Sequence, residues 1–338
     1  MITELAERRR AGLLRLYIVA AALIAIAAVT SGIEMRATSA SAVSGPVLPG
    51  VAAALASAQR IEVASAEANY RIERTERGWA MRDRGDYPVE RGRIAQLSAA
   101  LGQMRYVRRM TSDASKHERL GVTDPREGGR GVLLRVENSN TALLVDLILG
   151  VEPGGRLYVR RSGEDQVWQA EAPDLPPLRE AATWLDLTPL SLPADQLARV
   201  EIMPAEGRAY VLARDAVDQP WRIAAPALAA GSQAIVTAAA EKLVQLTPSD
   251  VLEAPAVQGQ PRARVRASTS TGIAIDGEII AADGKLWLKL VARAAAPEQA
   301  PAALAINDRV SAWAYALSES EAEALAPPLS ALLPAPAN

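Results

Sequence analysis

The chain has 338 residues, of which 49% are hydrophobic and 22% charged, with 22 glycines and 22 prolines. It is too apolar to be disordered, too poor in Gly and Pro to be fibrous, and long enough for about two domains. The 37 basic and 39 acidic residues leave a net charge of −2, which gives no electrostatic case for a nucleic-acid binder. With no cysteine, thiolate zinc sites, iron–sulfur clusters, disulfides and cysteine nucleophiles are excluded, and the single histidine, His117, leaves little imidazole chemistry.

Residues Leu16 to Ile33 carry no charge and lie between Arg15 and Glu34. A helix of about 18 residues rises roughly 27 Å, close to the thickness of a hydrocarbon core, so this stretch predicts a membrane span. Arg8, Arg9, Arg10 and Arg15 precede it and only Arg36 follows closely, which predicts a cytoplasmic N-terminus and a periplasmic bulk. Ala40-Ser41-Ala42 fits a signal-peptide cleavage pattern but lies nine residues beyond the apolar run, so a retained signal anchor is expected. Residues 37–58 are rich in Ala, Ser, Gly and Pro and read as a tether, with a short helix between Val51 and Ala58.

Past the tether the sequence repeats itself. Arg60-Ile61-Glu62-Val63 returns as Arg199-Val200-Glu201-Ile202, Tyr70 as Tyr210, Arg74 as Arg214 and Trp79 as Trp221. Ile94, Leu97, Leu101 and Met104 align with Val236, Ala239, Leu243 and Leu246, both sets at the 3, 4, 3 spacing of one helix face. Thr141, Leu143, Val145 and Asp146 align with Thr271, Ile273, Ile275 and Asp276. The expected organisation is a cytoplasmic N-terminus (1–15), a signal anchor (16–35), a linker (36–59), repeat one (60–195), repeat two (196–325) and a tail (326–338).

Within the first repeat, alternation predicts a meander over residues 60–64, Tyr70–Glu73 and Gly78-Trp79. A helix follows from Glu90 to Arg105, with Arg105, Arg108 and Arg109 near its C-terminal end. Strands are expected at Gly131–Glu137, Ala142–Gly150, Arg156–Arg160 and Gln166–Ala170, the last three joined by turns at Pro153-Gly154-Gly155 and Ser162-Gly163, and a short helix at Leu175–Trp184. The predicted class is α+β: one N-terminal transmembrane helix, then two tandem repeats of a mainly antiparallel sheet with packed helices.

Tyr87-Pro88-Val89, Leu120-Gly121-Val122-Thr123-Asp124-Pro125, Leu149-Gly150, Gly155-Arg156-Leu157-Tyr158-Val159-Arg160 and Gln166-Val167-Trp168 together resemble the domain-of-unknown-function family numbered 4340. The chain departs from that pattern at Arg119, where an aromatic residue is usual, and has no Leu-Gly-x-x-Pro after Leu252. The resemblance implies a bacterial, membrane-anchored envelope protein, often associated with ABC-type, gliding-type transport systems, and transfers no catalytic residues.

No phosphate-loop, serine-nucleophile, zincin or Ser-Lys motif occurs. Gly128-Gly129-Arg130-Gly131 opens a strand and reads as a turn, and His117, in a charged stretch, reads as a solvated loop residue. Asp146 and Asp276 interrupt apolar strands at equivalent positions. They read as outward-facing strand residues, with a paired metal or acid site as the sharper alternative. Arg105, Arg108, Arg109, Arg119, Arg126 and Arg130 form the densest basic stretch and read as a solvated helix end and loop, with anionic lipid or an acidic partner as the alternative. Trp79 and Trp221 read as core anchors rather than stacking platforms. The sequence therefore predicts no catalytic, cofactor-binding or metal-binding residue and no cofactor. The expected function is a non-enzymatic scaffold or auxiliary subunit of an ABC-type transport or envelope-assembly complex, held in the inner membrane through Leu16 to Ile33, without nucleic acid. A lipid-, glycan- or peptide-binding module and a periplasmic hydrolase are the alternatives.

Overall fold

The computed structural model describes residues 45–151 and 156–334. In chain order the elements are β1 (Gly45–Pro46), α1 (Val51–Ala54), β2 (Ala58–Ala64), β3 (Asn69–Thr75), β4 (Gly78–Met81), β5 (Tyr87–Pro88), α2 (Arg93–Gln103), β6 (Arg105–Arg109), β7 (Val132–Asn138), β8 (Leu143–Val151), β9 (Leu157–Arg161) and β10 (Val167–Glu171). Then come β11 (Leu197–Met203), β12 (Tyr210–Ala213), β13 (Arg222–Ala225), β14 (Ala227–Leu228), α3 (Gln233–Glu241), β15 (Asp250–Glu253), β16 (Pro261–Thr269), β17 (Ile273–Ala282), β18 (Lys285–Ala294), α4 (Ala300–Val310), β19 (Trp313–Leu317) and α5 (Glu319–Leu325).

The α+β expectation is corrected by this inventory: the described residues build mainly antiparallel sheet, and no α-helix among them exceeds eleven residues. Two local reasons account for the difference. The predicted helix end at Arg105 is strand, because residues 105–109 pair with β10 and β1. The predicted helix at Leu175–Trp184 shrinks to one 3₁₀ turn at Ala181–Trp184, since Pro176 and Pro177 deny its start a helical backbone. Among the described residues no helix is long and apolar enough to cross a membrane. The stretch from Leu16 to Ile33, the tether up to residue 44, the Pro153-Gly154-Gly155 turn and the last four residues lie outside the described residues.

By internal contacts the chain forms two compact units. Among the described residues the first takes 45–58, 62–67, 95–151 and 156–176; the second takes 59–61, 68–94 and 177–334. In the first unit the strands run β1-β6-β10-β9-β8-β7. In the second, β14-β13-β12-β11-β16-β17-β18-β19-β15 form a nine-stranded sheet, and β3, β4 and β5 pair as a meander. The order β6-β10-β9-β8-β7 is matched by β15-β19-β18-β17-β16, so one strand order is built twice. Leu97 and Leu101 on α2 and Val236, Ala239 and Leu243 on and after α3 are all buried, which is what the 3, 4, 3 spacing requires of a helix laid on a sheet.

Alternation sets the two faces of the nine-stranded sheet. Val200, Ile202, Val265, Ala267, Ile275, Ile279, Leu288 and Leu290 are buried on the inner face. Gly277 belongs to the same set, because a Cβ there would come within 3.4 Å of Leu243 and 3.3 Å of Leu288. The opposite face carries the charges.

Candidate functional site

Registration across β12, β11, β16, β17 and β18 places Val211, Glu201, Arg266, Asp276 and Val291 in one row on the outer face. The next row holds Met203, Arg264, Glu278 and Lys289. Opposite charges pair: directly across, Arg264 Nε to Glu278 Oε1 at 3.0 Å and Arg266 Nε to Asp276 Oδ1 at 2.5 Å, and diagonally, Arg293 Nε to Asp276 Oδ2 at 2.7 Å. Burial acts to raise the Asp276 pKa, but the two arginines outweigh it and hold the carboxyl below its usual value. Asp276 is thereby fixed as an anion and is unsuited to donating a proton at neutral pH.

These rows line an open cavity of about 750 Å³. Arg208, Arg264, Arg266, Lys289 and Arg293 face Glu201, Asp276 and Glu278 in its wall, an excess of two positive charges. Met203 and Val291, 51% and 40% exposed, add apolar surface.

The corresponding face in the first unit is closed. Arg135 and Asp146 stand opposite each other on β7 and β8, with Arg135 Nε 3.4 Å from Asp146 Oδ1 and Glu62 4.0 Å from Arg135, so the Glu–Arg–Asp line recurs. In the neighbouring row, however, Leu133 and Ile148 stand where the second sheet has Arg264 and Glu278, and both are fully buried. Val122, from the connection 110–131, packs on them together with Ala64 and Val167. Gly150 admits this cover because it has no Cβ; one would strike the Leu120 and Gly121 carbonyl oxygens. The connection at the same place in the second sheet spans only residues 254–260, and its Val257 covers just the end of the face, at Ile280, Trp287, Ala314 and Ala316. Arg160 donates to the Val122 carbonyl at 3.0 Å and Lys289 to the Val257 carbonyl at 2.6 Å, so the two covers are anchored alike and differ in reach.

The family-signature residues Leu120–Pro125 thus form a lid over one sheet. At Gly131 a Cβ would meet the Thr123 carbonyl oxygen and Ile148, and Gly128 takes the left-handed backbone that ends the 3₁₀ turn at Pro125–Glu127. A family model described as a domain of unknown function, DUF4340, matches residues 79–263. The chain belongs to this family. No curated protein and no solved structure gives a significant match. The DUF4340 match takes in the lid and ends in β16, inside the open face.

The remaining sequence candidates fall as follows. His117 is buried, 5% exposed, with Nε2 2.9 Å from the Asp165 carbonyl oxygen; it ties down the lid and is not a solvated residue. Asp146 and Asp276 are each held by arginines of their own sheet, and among the described residues no group of three or more His, Cys, Asp or Glu could hold a metal. Arg105, Arg108 and Arg109 are exposed on β6 rather than at a helix end, and Arg126 pairs with Asp124 at 2.5 Å. Trp221 is core, 3% exposed, but Trp79 is half-buried and lines a second cleft of about 500 Å³ with Tyr87 and Trp313. The open charged face was legible in part: Arg262, Arg264 and Arg266 alternate along one strand, Asp276 and Glu278 along the next, and no Leu-Gly-x-x-Pro precedes them.

Proposed function

We propose that this DUF4340 protein is a non-enzymatic scaffold of an envelope complex of the ABC-transport or envelope-assembly kind, held at the inner membrane by its apolar stretch 16–33 and engaging a partner protein through the open face of the nine-stranded sheet. The observation that carries this reading is the lid: where the first sheet is covered by residues 110–131, the second has charged rows and a cavity. The excess of positive charge in the wall selects an acidic segment of the partner. Exposed Met203 and Val291 supply the apolar contact that such a segment needs for affinity.

The test is site-specific photo-crosslinking in native membranes from positions 203 and 291, with position 217, exposed but outside the cavity wall, as control. Crosslinks to an Asp/Glu-rich peptide of a membrane-complex subunit are expected from the first two positions and not from the third. Arg208→Glu together with Arg264→Glu should abolish them with only a modest fall in melting temperature, since the second change sets a carboxylate across from Glu278, whereas Arg119→Glu should not. Crosslinks that survive the double reversal, or a basic crosslinked peptide, would sink the reading.

A further inference from the structure

We propose that the cleft lined by Trp79, Tyr87 and Trp313 binds a quaternary ammonium cation, a site that does not depend on the open sheet face. The two hairpins of the duplicated sequence make the first argument. Each sets a tryptophan at the same place, and in the second hairpin the ring is already occupied: the Arg214 guanidinium stands 4.8 Å over Trp221, and Trp221 Nε1 donates to Glu241 at 3.3 Å. In the first hairpin Arg74 faces Trp79 in register, yet among the described residues no cation is stacked on Trp79 or on Trp313. Both rings are half-buried against a cleft of about 500 Å³, within the size range of small-molecule sites.

The rings are also held in place. Tyr87 packs edge-on to Trp313 at 5.0 Å and 82°, and its hydroxyl donates to the Asp186 carbonyl at 2.7 Å. Charge decides the class of ligand. In the wall, Arg309 is neutralised by Asp186 at 3.1 Å and Asp86 by Arg82 at 2.6 Å, which leaves Glu76 and Asp308 against Arg77. Aromatic faces and a net negative rim both attract a cation, and an anion would be repelled by each. A primary ammonium needs converging acceptors for its three protons, whereas Glu76 and Asp308 are exposed rim residues. A methylated nitrogen loses little hydration and fits the rings.

Isothermal calorimetry on the full-length chain in a maltoside detergent tests this with choline, glycerophosphocholine and 3,3-dimethyl-1-butanol, the uncharged isostere of choline. Choline should bind saturably and the isostere should not. Trp313→Leu should weaken choline by about tenfold, in the range expected for a cation–π contact, and Asp308→Asn by about two- to threefold, as loss of an exposed charge does. Asp308 is exposed, so its variant keeps the test valid should Trp313→Leu fail to fold. Tighter binding of glycerophosphocholine than of choline assigns the ammonium to a lipid headgroup, and weaker binding assigns it to a free metabolite; both support the site. Equal binding of choline and the isostere, no saturable binding of choline, or an unchanged affinity in Asp308→Asn overturns it.

Discussion

Glu321 accepts from Lys242 Nζ at 2.6 Å and from the Thr247 backbone and hydroxyl, with both charged side chains less than one-fifth exposed. Burial favours the protonated form, but these bonds outweigh it and the carboxyl titrates below its ordinary range. Because the folded pKa is depressed, the stabilisation is complete above the unfolded pKa and is lost as pH falls through the folded one. Glu321→Gln should therefore lower stability at neutral pH by about 1–2 kcal/mol and flatten the acid limb of the stability curve, read from urea unfolding at several pH values. Asp276 shows what residue-level reading of the sequence could reach. Its outward position follows from alternation, but its two arginine partners come from β16 and β18, and only the register of three strands brings them together. His117 shows the opposite: its charged neighbours Lys116, Glu118 and Arg119 suggest water, while the fold turns the imidazole inward onto a carbonyl.

Among the elements, the lid is the one whose sequence and role are most tightly tied. His117→Ala removes the bond to Asp165, leaves that carbonyl without its ring partner and empties the buried space the imidazole fills. Destabilisation of about 1–3 kcal/mol is expected, with faster proteolysis in residues 110–131; chemical denaturation and limited digestion measure the two effects. A melting curve unchanged from wild type would show that the lid is held by Val122 packing and the Arg160 anchor without the imidazole. The strands over 132–138 and 143–151 were legible as short, largely apolar runs between turn residues, while strict period-two alternation appears later, along β16. Helix lengths were less so: the 3, 4, 3 stripe of residues 94–104 is compatible with either a helix ending at Gln103 or one running on through Arg105. Pairing of β6 with β10, a contact distant in sequence, makes the choice.

For the whole molecule, the proposed orientation carries its own expectation: protease added to spheroplasts should digest residues 45–334 while a tag at Met1 stays protected, and digestion of the tag would reverse the topology. The difference between the lidded and the open sheet has a further consequence for how such a protein could be used. Leu133 and Ile148 cannot be uncovered without wetting side chains worth roughly 1.5–3 kcal/mol each, so their cover is permanent furniture of the fold. Arg264 and Glu278 satisfy each other when nothing lies on them, and so do Asp276 and its two arginines. The open face is therefore at rest whether vacant or filled. A partner held mainly by its net charge would be gripped at physiological ionic strength, where the screening length is about 8 Å, and released as added salt shortens that length toward about 3 Å. Such a joint can be made and broken repeatedly without any segment of the chain unfolding, and the salinity of the surrounding compartment becomes its natural regulator.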